Sequence, residues 1–203
     1  MMIQQIIDHI KQVEHGFNHI IDAGNQILAE KNNSSFEIAV SFMENDSYQV
    51  RMLATYILGQ LSPQNNEALT FLETKSSLDP NWRVQEMLAK AFDYYCSTIG
   101  YEQSLPKIKS WLTNPNSNIK RAVIEGLRIW TGRPYFKENP QVAINLISKH
   151  RSEDSEYLRK SVGNSLRDIS KKHPTEIDEE LSTWNISDKN TLYTYKLVKK
   201  GTL

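Results

Sequence analysis

The chain has 203 residues, 39% hydrophobic and 24% charged, with 24 basic and 24 acidic side chains and a formal net charge of zero. That length holds one domain or one compact array with a buried core, and the even balance excludes a protein that is basic all over and binds polyanions with its whole surface. The single cysteine, Cys96, excludes an internal disulfide, and its neighbours Phe92, Tyr94 and Tyr95 mark it as a buried structural thiol.

The first segment, MMIQQIIDHIKQVEHG, is too polar for a signal peptide or a membrane span, so a cytoplasmic protein with no membrane partner is expected. Residues 1–46 are expected to form two or three helices. His9, His15 and His19 lie near one another here, the last pair at i,i+4. No catalytic glutamate stands between them, so they are read as surface helix residues and no metal is expected. No cofactor is expected either. There is no Gly-rich phosphate loop, no pattern for Ser-His-Asp or Cys-His catalysis, and no histidine close to Cys96 in sequence.

From residue 50 the apolar spacing repeats. VRMLATYILGQL from Val50, VQEMLAKAFDYY from Val84, IKRAVIEGLRIW from Ile119 and LRKSVGNSLRDI from Leu158 align without gaps, starting 34, 35 and 39 residues apart. Counting the first residue as zero, positions 0, 4, 8 and 11 hold Val50, Ala54, Leu58, Leu61; Val84, Leu88, Phe92, Tyr95; Ile119, Val123, Leu127, Trp130; and Leu158, Val162, Leu166, Ile169. At about 100° per residue these form one narrow helical stripe. Shorter helical runs are expected between them, at 66–78, 102–113 and 138–149, with turn signals LDPN, TNPNSN and SEDSE separating the helices and Asp or Ser at N-caps. Such a period predicts an all-α, HEAT-like repeat α-solenoid of about six stacked helix pairs. A single HEAT-like repeat domain is expected over 1–203, with N-terminal helices at 1–46, core repeats at 47–172 and a short cap at 173–203. Trp184, Tyr193 and Tyr195 are read as core anchors of that cap rather than base-stacking residues.

Charge is unevenly placed along this array. Residues 1–80 carry 4 Lys/Arg against 10 Asp/Glu, and residues 81–172 carry 16 against 9. A neutral chain thus holds a basic middle segment able to meet an anionic polymer. Positions 2, 6 and 10, opposite the stripe, are uncharged in the first repeat (Met52, Tyr56, Gln60). They become Glu86, Lys90, Tyr94, then Arg121, Glu125, Ile129, then Lys160, Asn164, Asp168. Position 9 adds Asp93, Arg128 and Arg167, and the helix starts add Arg83, Lys120 and Arg159. A cationic groove of this kind tracks phosphates. The carboxylates Glu86, Glu125 and Asp168 would repel them, and make sense only where something cationic must bind. The alternative left open by the spacing is a solvated face of i,i+4 ion pairs such as Arg121 with Glu125.

NWRVQEMLAKAFDYY, NSNIKRAVIEGLRIWTGRPYFKENP and SEYLRKSVGNSLRDISKKHP resemble the AlkC/AlkD superfamily of DNA alkylation repair proteins, over roughly residues 45–185. The most specific pieces are E-G-x-R followed by R-P, and V-x-N-x-L-x-D-I-S-K. The resemblance implies a HEAT-like fold cupping double-stranded DNA in its concave face as a monomer. It also implies a DNA glycosylase that excises cationic N3- or N7-alkylpurines without base flipping, its carboxylates stabilising an oxocarbenium-like sugar. On that basis Glu125, Glu86 and Asp168 are the catalytic candidates, and Trp82, Asn164 and Tyr94 face the lesion, with cation–π attraction available to an aromatic. Arg83, Lys120, Arg121, Arg128, Arg159, Lys160 and Arg167 are the candidates for the DNA backbone. Three departures stand out. Glu86 and Gly163-Asn164 replace the Asp and Gly-Trp of the AlkD-like branch, and the first 45 residues are acidic and lack a basic-aromatic stretch. The acidic N-terminus points to the alternative, a non-catalytic relative binding damaged or branched DNA. A protein-binding scaffold, a common role of HEAT arrays, is the third possibility.

Overall fold

The computed structural model describes residues 3–30 and 34–200, and every regular element among them is helical. In chain order these are α1 (Ile3–Lys11), α2 (Asn18–Ala29), α3 (Ser35–Phe42), α4 (Tyr48–Leu61), α5 (Asn66–Thr74) with a 3-10 turn at Ser76–Leu78, and α6 (Trp82–Ile99). Then follow α7 (Leu105–Leu112), α8 (Ser117–Trp130), α9 (Pro140–Ser148), α10 (Glu156–Ser170), α11 (Pro174–Ser182) and α12 (Lys189–Val198). The chain divides into two compact units, Met1–Ile99 and Gly100–Leu203. The all-α, HEAT-like repeat fold expected from the spacing is the one observed.

In the first unit α4 is the hub, packed against α6, α3, α2 and α5. Gly59 lets α4 and α6 close together: a Cβ there would stand 2.5 Å from the Ala91 Cβ and 2.8 Å from its Cα. In the second unit α10 is the hub, packed between α8 and α12 with α9 and α11 behind it. Gly163 does for α10 and α12 what Gly59 does for α4 and α6, since a Cβ there would stand 2.6 Å from the Leu197 Cβ. Cys96 is fully buried, and Trp184 is 6% exposed, its indole donating to Glu180.

The repeating stripe is the core. Val50, Ala54 and Leu58 are buried, as are Val84, Leu88 and Phe92, and all four stripe residues of α8 and of α10. Leu61 and Tyr95, at the ends of the first two stripes, are only half-buried. The helix starts repeat as well. Three residues before each stripe sits Ser47, Asn81, Asn116 or Ser155. Asn81, Asn116 and Ser155 accept backbone N–H bonds from the first turns of α6, α8 and α10.

A second periodic device links the repeats. The residue just after each stripe start reaches into an inter-helix loop. Arg51 donates to the Asn45 and Asp46 carbonyls and forms a two-pronged bond with Asp79 in the loop before α6. Gln85 donates to the Asp79 carbonyl. Lys120 donates to Glu153 in the loop before α10, and Arg159 donates to the carbonyls of Glu153 and Asp154. Asp79 and Glu153 both stand five residues before their stripe. Their partners Arg51 and Lys120 are 17% and 15% exposed.

The first repeat differs from the others on the face opposite its stripe. Met52 is 1% exposed there, because α2 lies on α4. Gly24 of α2 lets the Tyr56 ring approach it, and the Tyr56 hydroxyl donates to Asn25 at 2.7 Å.

Candidate nucleic-acid interface

On α8, Glu125 and Arg128 are one turn apart. The packing of α10 on α8 brings Ser161 and Asp168 beside them. Ser161, itself 6% exposed, donates to Glu125 Oε1 at 2.7 Å. Arg128 Nε stands 3.2 Å from Glu125 Oε2, an ion pair without hydrogen-bond geometry, and Arg128 Nη1 donates to Asp168 Oδ2 at 3.0 Å. Lys171 donates to Asp168 Oδ1 at 2.8 Å. The side chains of Glu125, Arg128 and Asp168 are about one-third exposed, at 35%, 35% and 32%. The Lys171 hydrogen bond, against partial burial and with help from Arg128, holds the Asp168 carboxyl below its usual range. Each oxygen of the two carboxylates thus faces one donor, and one guanidinium spans two helices.

The cations expected on the DNA backbone separate into two groups. Arg121 is half-exposed, donating to the Tyr157 hydroxyl at 2.7 Å and lying over its ring. Lys160 is exposed and paired with Glu156 at 2.8 Å. Arg167 is half-exposed, and Asn164 is exposed on the same helix. Lys120 and Arg159, by contrast, serve the inter-repeat ladder. Arg159 is only 9% exposed, with its guanidinium turned to loop carbonyls and to the Tyr193 ring. Lys120 shares Glu153 with His150. Burial works against ionising Glu153, but the hydrogen bonds from Lys120 and His150 prevail and lower its pKa.

In the first unit, Trp82 and Tyr94 are exposed and Glu86 is half-buried on α6. Glu86 has no side-chain partner among the described residues. Arg83 lies over both the Trp82 and Tyr48 rings, at 4.4 and 5.4 Å, with His15 Nδ1 3.2 Å from its Nη2. Lys90 sits 5.1 Å over the Phe17 ring, and the Tyr48 hydroxyl donates to the Glu14 carbonyl. The loop between α1 and α2 therefore rests on the cations of α6.

The three N-terminal histidines are not one cluster. His15 goes to Arg83, while His9 and His19 line a cleft of about 440 Å³ between α1 and α2 with Asp22. Burial, and then the nearby His9, lower the pKa of His19. No group of three His, Cys, Asp or Glu among the described residues is placed to hold a metal. No described helix is long and apolar enough to cross a membrane.

Two partners in the α8–α10 cluster carry no sequence signal: Ser161 looks like a small core-edge residue, and Tyr157 precedes the repeat. Each is visible only once α10 is laid against α8. Lys171 ends the D-I-S-K motif, but its bond to Asp168 is not legible there. In E-G-x-R, the glycine has a packing role: a Cβ on Gly126 would stand 2.6 Å from the Trp130 ring. In R-P, Arg133 bonds to the Tyr101 hydroxyl and lies over its ring.

A family model described as DNA alkylation repair enzyme matches residues 20–193. A crystal structure of AlkD2 from Streptococcus mutans is 43% identical, with a TM-score of 0.91 over 98% of this chain and 99% of that one. A second structure, smu.31 from Streptococcus mutans UA159, is 42% identical, with a TM-score of 0.90 over 99% of each. The alkylpurine DNA glycosylase AlkC of Pseudomonas fluorescens, solved with DNA containing an abasic site analogue, is 18% identical with a TM-score of 0.52 over 92% of this chain and 62% of that one, and shares the fold. The Bacillus subtilis (strain 168) protein YhaZ, itself uncharacterized, is 30% identical over 109 residues, a match spanning 49% of this chain and 30% of YhaZ. The chain belongs to the DNA alkylation repair enzyme family, within the AlkC/AlkD superfamily.

Proposed function

We propose that the chain binds double-stranded DNA by its phosphate backbone along the α8–α10 face and does not itself break the glycosidic bond. The family and the DNA-bound neighbour of like fold make DNA the ligand class. Arg128 carries the rest. Glu125 and Asp168 are the carboxylates that would meet a cationic alkylpurine or an oxocarbenium-like sugar, and Arg128 stands between them at 3.2 and 3.0 Å. With Lys171, the two carboxylates face two cations, so the cluster offers a cationic base no net attraction. Phosphate, in turn, finds Arg121, Arg167 and the outer edge of Arg128. On α6, the loop carrying His15 and Phe17 competes with DNA for Arg83 and Lys90.

A second reading, alkylpurine DNA glycosylase, is favoured by one observation. Ser161 and Arg128 fix Glu125 at both oxygens, the preorganisation that a carboxylate facing a developing cation needs. The two readings separate in one experiment: protein in excess over N3-/N7-methylated duplex, with released bases measured by chromatography and binding measured in parallel. Binding that strengthens as salt falls, with base release no faster than the protein-free control, is expected. Release that disappears in a folded Glu125→Gln variant would establish the glycosylase instead.

A further inference from the structure

We infer that Arg128 sets the ligand class of the α8–α10 face, denying Glu125 and Asp168 to cations while offering its free edge to an anion. The inference builds on the proposed DNA-binding face but concerns the charge gate alone. Arg128 has three nitrogens with three fates. Nε faces Glu125 Oε2, Nη1 donates to Asp168 Oδ2, and Nη2 has no partner among the described residues. The other oxygen of each carboxylate is held from elsewhere, Glu125 Oε1 by Ser161 and Asp168 Oδ1 by Lys171. Those outer bonds keep the two carboxylates in place when the guanidinium is absent. Oε2 and Oδ2, from two different helices, would then flank one space of guanidinium size with only Lys171 left as a compensating cation. A planar cation fits there in shape and charge.

With Arg128 present that space is filled, and the free Nη2 edge presents a donor suited to a phosphate oxygen. The bridge is about one-third exposed, so its ion pairs are individually weak and solvent-screened. Its effect is on ligand choice rather than on the stability of the fold.

The test uses the full chain carrying Arg128→Gln. Methylguanidinium is the planar cation probe, and N-methylurea is its neutral counterpart of similar shape. The variant is expected to bind methylguanidinium about tenfold more tightly than the unaltered protein, with N-methylurea unchanged. Adding Glu125→Gln and Asp168→Asn should abolish the gain. In the variant the Asp168 carboxyl, followed by NMR, should titrate at higher pH than in the unaltered protein, because one of the groups holding it ionised is gone while Lys171 remains. Thermal unfolding checks that the variant folds. Arg128→Lys, which keeps a cation but reaches only one carboxylate, should show a smaller gain. A folded Arg128→Gln protein with no gain for methylguanidinium, or a gain that survives loss of both carboxylates, would overturn the inference. Neither result depends on whether the chain binds DNA.

Discussion

Lys120 on α8 donates to Glu153 in the loop before α10 at 2.7 Å, the counterpart of the 2.5 Å bond from Arg51 on α4 to Asp79 in the loop before α6. The same repeat position thus ties one helix to the loop of the next repeat, once in each unit. Glu153→Gln should cost about 1.5–3 kcal/mol, the usual range for a charged hydrogen bond, measured by urea unfolding at neutral pH. The pH dependence has a definite sign. Glu153 is held below its ordinary value of 4.5 in the folded state, so its contribution is full above about pH 4.5 and is lost as pH falls through the folded value. Glu153→Gln should therefore flatten the acid limb of the stability profile. An unchanged limb would remove Glu153 from the ladder's energetics.

The core of this ladder was readable in sequence, and its cations were not. Val123, Leu127 and Trp130 announce their burial by period, because burial on one helix face is what a 3.6-residue period records. Lys120 and Arg159 stand one residue past the stripe, where a long cation looks the same whether it meets a phosphate or a loop. Only aligning the loops, with Asp79 and Glu153 five residues before their stripes, would have separated the two uses. Glu125 and Asp168 were legible as a pair on adjacent repeats. Ser161, which holds Glu125, was not, since that bond depends on how α10 is seated against α8; Lys171 stood in the D-I-S-K motif, but nothing there marked it as the partner of Asp168. The loop of His15 and Phe17 on α6 has no periodic signature at all.

Gly163 and Gly59 mark close helix approaches, one in each unit. Gly163→Ala should cost about 1–3 kcal/mol, the range for overpacking, because the added Cβ meets the Leu197 Cβ and lies 3.3 Å from the Thr194 carbonyl. Gly59→Ala should cost as much or more, since a backbone atom of Ala91 stands in the way. Thermal unfolding of both variants checks this. Neutral substitutions would mean that the helices separate freely.

Phe17 covers Lys90 on α6. Phe17→Ala removes a cation–π contact worth about 0.5–1 kcal/mol at an exposed site and releases Lys90 to solvent. Duplex binding at low salt should tighten by about twofold to fivefold. Equal or weaker binding would show that the α1–α2 loop assists DNA rather than competing with it.

The most direct test of a phosphate-tracking α8–α10 face is the salt dependence of duplex binding, measured for the unaltered chain and for Arg167→Gln and Arg121→Gln. The chain should bind with log K falling linearly in log salt. Each substitution should weaken binding to all duplex sequences alike and reduce the slope by about one. Binding that ignores salt, or slopes that neither arginine changes, would contradict it.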